Sequence, residues 1–415
     1  MVLIVANRHV WCLTVAILVG WAPWAAGGSV APEGSAASAL SIGGTLVGGV
    51  WSTTRQLDDN LSTLNAALRI HGQLPLSDVL SAKLDGVLGI EDSRTQSNSL
   101  HQTREGYLQR KTENSEFRLG RQLIAWGRAD KLNPTDYFTS RDYTFLTSDD
   151  EEQKRGVDAL RGVMHFGEYD VQGVVAHGNV KNILPFHIAN NVDFNQSNKQ
   201  FGVKVDRYGE GFDWSASYYH GMDRNPNLLP DLTTGAIVSS YDNVSAMGLA
   251  FAAASGTLTY RGEAAYFRTS DSAGQNLYRR NNHLDFVLGV DGSPRRDASL
   301  GIQYYGVVVN NYSPDVLFDP IAKSGALLGN QLRSFQQGVT LRFAQSWLND
   351  ALQFEIRANY GLTDHGKYIF PKLVYKPNDY WSLIFGSEYF EGSDNSYFGQ
   401  FKKNSGVFTE ARFAW

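Results

Sequence analysis

The chain has 415 residues and carries 37 Lys+Arg against 42 Asp+Glu, a formal charge of −5. A mean hydropathy of −0.29 excludes a multi-helix membrane protein, and a pI near 6.0 lacks the basic excess of nucleic-acid binders. Gly (41), Tyr (20), Phe (22) and Trp (9) are abundant, whereas Cys occurs once and Met four times. The amino terminus reads as a secretory signal over 1–39. Arg8 and His9 precede a short apolar stretch, Val10 to Val19, and small-residue cleavage sites fall within 26–39. The stretch is too short for a comfortable spanning helix, although a signal anchor is the alternative. Cleavage would remove Cys12, leaving no thiol for a disulfide, a metal site or a nucleophile.

From residue 41 onward no apolar run reaches the length of a spanning helix. What recurs is apolar–polar alternation over about nine to twelve residues, broken by Gly, Asn, Asp and Pro. The Gly-Val-Leu-Gly pattern at 86–89 is read as strand glycine rather than a phosphate loop. A patterned strand at 116–126 is followed by a densely charged segment, and another strand begins near Val157. Phe201, Val203 and Val205 alternate with Gln200, Gly202, Lys204 and Asp206; after the turn Tyr208-Gly209-Glu210-Gly211, Phe212, Trp214, Ala216 and Tyr218 do the same. The pattern returns at Met247–Ala253, Leu258–Tyr266, Leu284–Val290, Leu300–Tyr304 and Val339–Phe343. It is clearest at Leu352–Tyr360.

A soluble sandwich would bury the apolar faces; a transmembrane barrel would turn them to lipid and its polar faces to a lumen. Strand length favours the barrel, as do aromatics near strand ends such as Tyr380-Trp381 and Tyr389-Phe390. Loop lengths alternate as well. Turns such as Lys376-Pro377-Asn378-Asp379 are short, whereas 130–155, 179–198, 222–241, 268–282, 310–333 and 391–405 are long. The expected fold is therefore all-β: one antiparallel transmembrane barrel over 40–415, of about 16–18 strands, with long loops on one side. Val407, Thr409, Ala411, Phe413 and Trp415 make a closing stripe that ends on an aromatic residue, like the signal read by the outer-membrane barrel assembly machinery.

Two stretches carry a resemblance. One is Phe117-Arg118-Leu119-Gly120-Arg121-Gln122, continuing through Trp126-Gly127-Arg128 to Asn133-Pro134-Thr135-Asp136. The other is Phe398-Gly399-Gln400-Phe401 with the terminal strand Val407 to Trp415. Both resemble large, porin-like outer-membrane barrels near the group that includes alginate-export proteins. The resemblance implies a Gram-negative outer-membrane channel in contact with lipid and lipopolysaccharide, and, for an exporter, periplasmic or synthase partners.

The charged segment 128–161 holds Arg128, Asp130, Lys131, Asp136, Arg141, Asp142, Asp149-Asp150-Glu151-Glu152, Lys154, Arg155, Asp158 and Arg161. It is expected to fold inward as a constriction, the alternative being a solvated outer loop. The acidic run lacks the spaced ligands and central Gly of a dedicated calcium loop. Alternation turns Arg118, Lys204, Arg261, Arg342 and Arg357 to the lumen, along with Glu116, Asp206, Glu263, Asp285 and Glu355. Arg118, Arg128, Asp130, Arg141, Arg155, Arg161, Lys204, Arg261, Glu263, Arg342, Glu355 and Arg357 are thus the pore-lining candidates. No metal or cofactor site is expected. His165, His177, His187 and His220 lie among serines and aspartates without a nucleophile elbow or metal-pair spacing, so catalysis is not expected. The function expected is passive passage of small or anionic solutes. The alternatives are export of a polysaccharide such as alginate and a structural sheath around a partner protein. An exporter would want an arginine-dominated lumen, and these charges are mixed.

Overall fold

The computed structural model describes residues 40–53, 62–93, 96–130, 132–178, 181–184 and 199–415, with backbone alone at 91–93 and 96–101. The signal segment, Lys131 and His187 lie outside the described residues, as does most of 179–198.

Eighteen strands share one sheet. The first five are β1 (Ser41–Thr53), β2 (Ser62–Pro75), β3 (Leu80–Ser93), β4 (Gln96–Lys111) and β5 (Ser115–Gln122). After a long connection come β6 (Val157–Phe166), β7 (Tyr169–His177), β8 (Lys199–Arg207) and β9 (Phe212–Met222). Then follow β10 (Asn243–Ser255), β11 (Leu258–Arg268), β12 (His283–Arg295) and β13 (Ala298–Val309). The last are β14 (Phe335–Trp347), β15 (Leu352–Gly361), β16 (Lys367–Tyr375), β17 (Trp381–Glu391) and β18 (Gly406–Ala414). Each pairs antiparallel with the next. β1 also pairs with β18, from Thr45↔Ala414 to Thr53↔Gly406, so the ring closes. Trp415 N donates to Gly44 O at 3.1 Å and Gly44 N to Trp415 O at 3.2 Å, completing the seam.

Closure explains why the alternation can face lipid. Every strand finds both neighbours, and no row of unpaired N–H and C=O groups meets hydrocarbon. Met247 and Leu249 on β10 are 65% and 64% exposed, while Ala246 and Ala250 on either side of them are buried. Around the short-turn end, outward aromatics pack together as an interfacial girdle: Trp381 on Phe413 (centroids 5.1 Å), Phe413 on Trp415 (6.1 Å) and Tyr169 on Trp214 (6.4 Å). The expected long segments leave from the opposite strand ends, connecting β5–β6, β7–β8, β9–β10, β11–β12, β13–β14 and β17–β18 in sequence. The β13–β14 connection contains α1 (Pro320–Leu328), capped by Asp319, whose Oδ1 accepts from Ile321 N and Ala322 N at 2.8 and 2.9 Å.

The inward faces depart from simple polarity in two places. Val157, Ala159, Val174, Ala176, Tyr219, Val244, Ala246 and Ala265 are inward, apolar and buried, as are Trp51, Phe370, Ile384 and Phe408 on the opposite side of the ring. Something apolar must cover them from within, and the β5–β6 connection does.

The two faces predict different tolerances. Leu249→Arg, outward in the middle of β10, is expected to destabilise the barrel by about 2–4 kcal/mol. Thr340→Arg, on the lumen side of β14, should cost well under half of that. Urea unfolding in lipid vesicles measures both, and equal losses would mean that the outward face is not lipid-exposed.

Candidate functional site: a loop across the lumen

Residues 123–156 leave the ring at β5 and return at β6. Their first half is apolar at the root: Ile124, Trp126, Tyr137 and Phe138 dock on the inward apolar patch of β6, β7, β9, β10 and β11. Trp126 meets Phe138 edge-on at 5.2 Å, and Tyr137 stacks on Tyr219 at 5.3 Å. The wall makes room for these rings. A Cβ at Gly202 would lie 2.8 Å from Trp126 and 2.9 Å from Phe138; one at Gly248 would lie 2.1 Å from the Tyr137 hydroxyl.

Polar anchors follow the apolar ones. Glu263 of β11 is only 3% exposed. Its carboxylate accepts from Arg128 N and Ala129 N, both at 2.5 Å, from Thr135 N at 3.2 Å and from Thr135 Oγ1 at 2.8 Å. Arg128 itself reaches Asp206 at 2.9 Å and Asp213 at 3.4 Å. Asp136 accepts from Thr139 Oγ1 at 2.8 Å, and burial pushes its carboxyl up to about 6 despite that hydrogen bond.

The second half crosses to the far wall. Ser140–Arg141 pairs with Lys154–Arg155 as a short ribbon, and a 3₁₀ turn at Asp150–Gln153 forms its tip. Leu146 packs against the inward cluster of Trp51, Phe370, Ile384 and Phe408. Asn65 Nδ2 of β2 donates to Leu146 O at 2.5 Å, and Arg104 of β4 donates to Glu151 O at 2.9 Å. On β18, Ser148 Oγ donates to Glu410 at 2.7 Å, and Arg412 pairs with Glu152 at 2.9 Å and with Glu410. Asp150 meets Arg357 of β15 at 3.3 Å. In an 18-stranded ring, β15 is half the circumference from β6, so the loop spans the lumen from wall to wall.

Beside the loop runs the wall β11–β15 with its own pairs: Arg261–Asp291 at 3.5 Å, Arg342–Glu355 at 2.9 Å and Arg357–Glu355 at 3.1 Å. Asp130 on the loop interacts electrostatically with Asp291 and Arg342. The structure thus brings Asp130, Arg261, Arg342, Glu355 and Arg357 to one side of the lumen. It places Arg118, Arg161 and Lys204 on another: Arg118 and Arg161 share Glu116 at 2.8 and 3.2 Å, and Lys204 lies 3.0 Å from Asp206.

Arg141 donates to Asp150 O and Arg155 to Lys181 O, each at 2.9 Å, so both brace loop backbone. In the acidic run Asp150 pairs with Arg357, Glu152 with Arg412 and Glu151 with Lys154, while Asp149 caps the 3₁₀ turn through Glu151 N at 3.1 Å. Among the described residues no group of three His, Cys, Asp or Glu could hold a metal. His165 pairs with Asp170 at 2.6 Å, and His220 meets Phe201 at a tilt with centroids 5.5 Å apart. His177 is exposed on the outward face of β7.

Sequence reasoning missed Arg69, Lys83, Asp85, Arg104, Glu105, Lys372, Glu410 and Arg412. Arg69 binds Asp85 at 2.6 Å, and Lys83 binds Glu105 at 2.5 Å. The signal was present for Glu410 and Arg412, which alternate with the outward stripe of the closing strand.

No family model matches the chain, and no curated protein is similar to it in sequence. Its fold is that of solved outer-membrane porins. OccAB1 of Acinetobacter baumannii superposes with a TM-score of 0.57 at 10% identity, over 91% of this chain and 96% of that one. OccAB3 of the same organism gives 0.57 at 9% identity, over 91% and 99%. OccK11 (OpdR) of Pseudomonas aeruginosa gives 0.53 at 10%, over 90% and 94%. A closed barrel of this fold with a lipid-facing apolar band belongs in the Gram-negative outer membrane.

Glu263→Gln removes the charge that four donors share and should loosen the loop by roughly 3 kcal/mol, read as faster proteolysis at 128–135 in the folded barrel. An unchanged cleavage rate would show that the apolar root holds the loop alone. Asp136 gives a pH test. Its folded value lies above its unfolded value of 3.8, so its contribution to stability is greatest in acid and falls as pH rises from about 4 to about 6. Asp136→Asn should flatten that part of the melting profile, and an unaltered slope would assign it to another group.

Proposed function

We propose that the chain is a diffusion channel for small polar solutes, filtered by the 123–156 loop. A ring of 18 strands is too wide for wall side chains to fill, so a single bridging loop sets the aperture. That bridge, from Glu263 on one side to Arg357 and Arg412 on the other, is the observation that carries the reading. Export of the chain through its 1–39 segment belongs to the same reading.

Charge balance refines it. Arg69, Lys83, Arg104, Arg118, Arg128, Arg161, Lys204, Arg261, Arg342, Arg357 and Arg412 each have a carboxylate within 4.0 Å. Paired charges leave local dipoles in a low-dielectric passage, which orient polar solutes without strongly favouring one ion sign. A polyanion exporter would want cations free for its cargo. The pairing speaks for small solutes and against the polysaccharide reading.

In planar bilayers the channel should show a reversal potential close to zero under a KCl gradient. Deleting Ser148 to Gln153, which removes the tip and its ties to Arg357 and Arg412, should raise single-channel conductance roughly twofold or more. A strongly cation- or anion-selective channel contradicts the charge reading. A deletion that leaves conductance unchanged means that the loop does not set the aperture.

A further inference from the structure

On one side of the bridge a recess of about 210 Å³ opens between the loop residues Leu123 to Trp126 and the inward faces of β6, β7 and β8. That volume takes a small solute rather than a single water. Its polar lining includes Arg161, Asp170, Gln172, Lys204 and Asp206, with Tyr208 at the adjoining turn. Trp126, only 3% exposed, lines the recess, and its indole N–H has no partner; the Nε of Arg161 also has none. Gln172 is 7% exposed and offers both a donor and an acceptor. A buried polar side chain without a partner is costly, and the Gln172 amide lining the recess marks a place where a ligand hydroxyl fits.

Charge decides which ligand. The lining holds two cations and two carboxylates, and these already have partners: Lys204 with Asp206 at 3.0 Å, Arg161 with Glu116 at 3.2 Å and Asp170 with His165 at 2.6 Å. An incoming anion would meet Asp170 and Asp206 in the same lining and would compete with Asp206 and Glu116 for Lys204 and Arg161. A neutral solute bearing several hydroxyls pays no such cost. It can accept from the Gln172 amide and the remaining donors of Arg161 and Lys204 while donating to the spare lone pairs of Asp170, Asp206 and Gln172. Trp126 adds a ring, and Val163 and Ile124 add apolar surface for the solute's carbon face.

We propose that this recess is a binding subsite for a neutral polyhydroxylated solute of monosaccharide size. The proposal deepens the channel reading and rests on it for its physiological meaning, but binding can be measured without conduction. Isothermal titration of the detergent-folded full-length barrel with D-glucose, glycine and sodium acetate tests it. Saturable glucose binding is expected, weakened at least about tenfold in Gln172→Met, which keeps the side chain's length and loses its amide. If Gln172→Met fails to show the heat-modifiable migration of a folded barrel, Lys204→Met provides the same reading from the neighbouring strand, with the same loss expected. Leu249→Ala, outward on β10, should bind as the unaltered protein does. Acetate or glycine binding more tightly than glucose would overturn the proposal in favour of a charged ligand. No saturable binding of glucose from a barrel that still conducts would overturn the subsite and leave the channel reading standing. Glucose binding by a barrel that conducts nothing would retain the subsite and reject the channel.

Discussion

A single buried carboxylate fixes the geometry of this lumen. Glu263 stands buried on the inner wall, where a carboxylate needs partners in place of water, and three backbone N–H groups and one hydroxyl from the loop supply them. The exchange works in both directions. The carboxylate gains donors that water would otherwise supply, and a turn with no regular secondary structure gains acceptors for its amides. Remove that contact and the Trp126–Tyr137 root still packs, but the backbone at Arg128 and Ala129 loses its tie to the wall and Arg128 is held by its side chain alone.

The far side of the crossing is built on another principle. There Arg412 is shared between Glu152 of the loop and Glu410 of its own strand, and Arg357 divides itself between Asp150 and Glu355 while lying over the ring of Phe370 at 4.3 Å. Planar guanidinium groups suit such sharing because each presents several donors in a fixed fork. Loop acids thus serve as partners for wall arginines instead of projecting a free negative field. The result is a passage rich in charges but balanced pair by pair.

Much of this was legible in the sequence. The outward stripes of β8 to β11 and β14 to β15 followed from strict alternation, and the long segments from breaks in it. The charged density of 128–161 marked the connection that crosses the lumen. Less visible were positions where apolar residues occupy both faces of a strand. Val174-Val175-Ala176 on β7 is such a run: Val175 faces lipid while Val174 and Ala176 face the loop root. Period-two reasoning assigns only one greasy face and has no place for the second. Partner choice was equally hidden. Arg141 and Arg155 look like their neighbours in composition, yet their donors go to carbonyls fixed by tertiary geometry.

The reach of the loop has a consequence for how the molecule is assembled. Ser148 and Glu410 are 262 positions apart in sequence, and the strands between them must all be laid down before they meet. The two walls that hold the loop tip include β15 and the closing strand β18, whereas the loop itself emerges after β5. Contacts of such high sequence separation form late, because the chain must first lose the entropy of everything between them. The root can dock once β11 is in place, but the tip has no seat until the last strand zips to the first. An unfinished ring is therefore also an unfiltered one, and the aperture reaches its final form in the same event that seals the barrel.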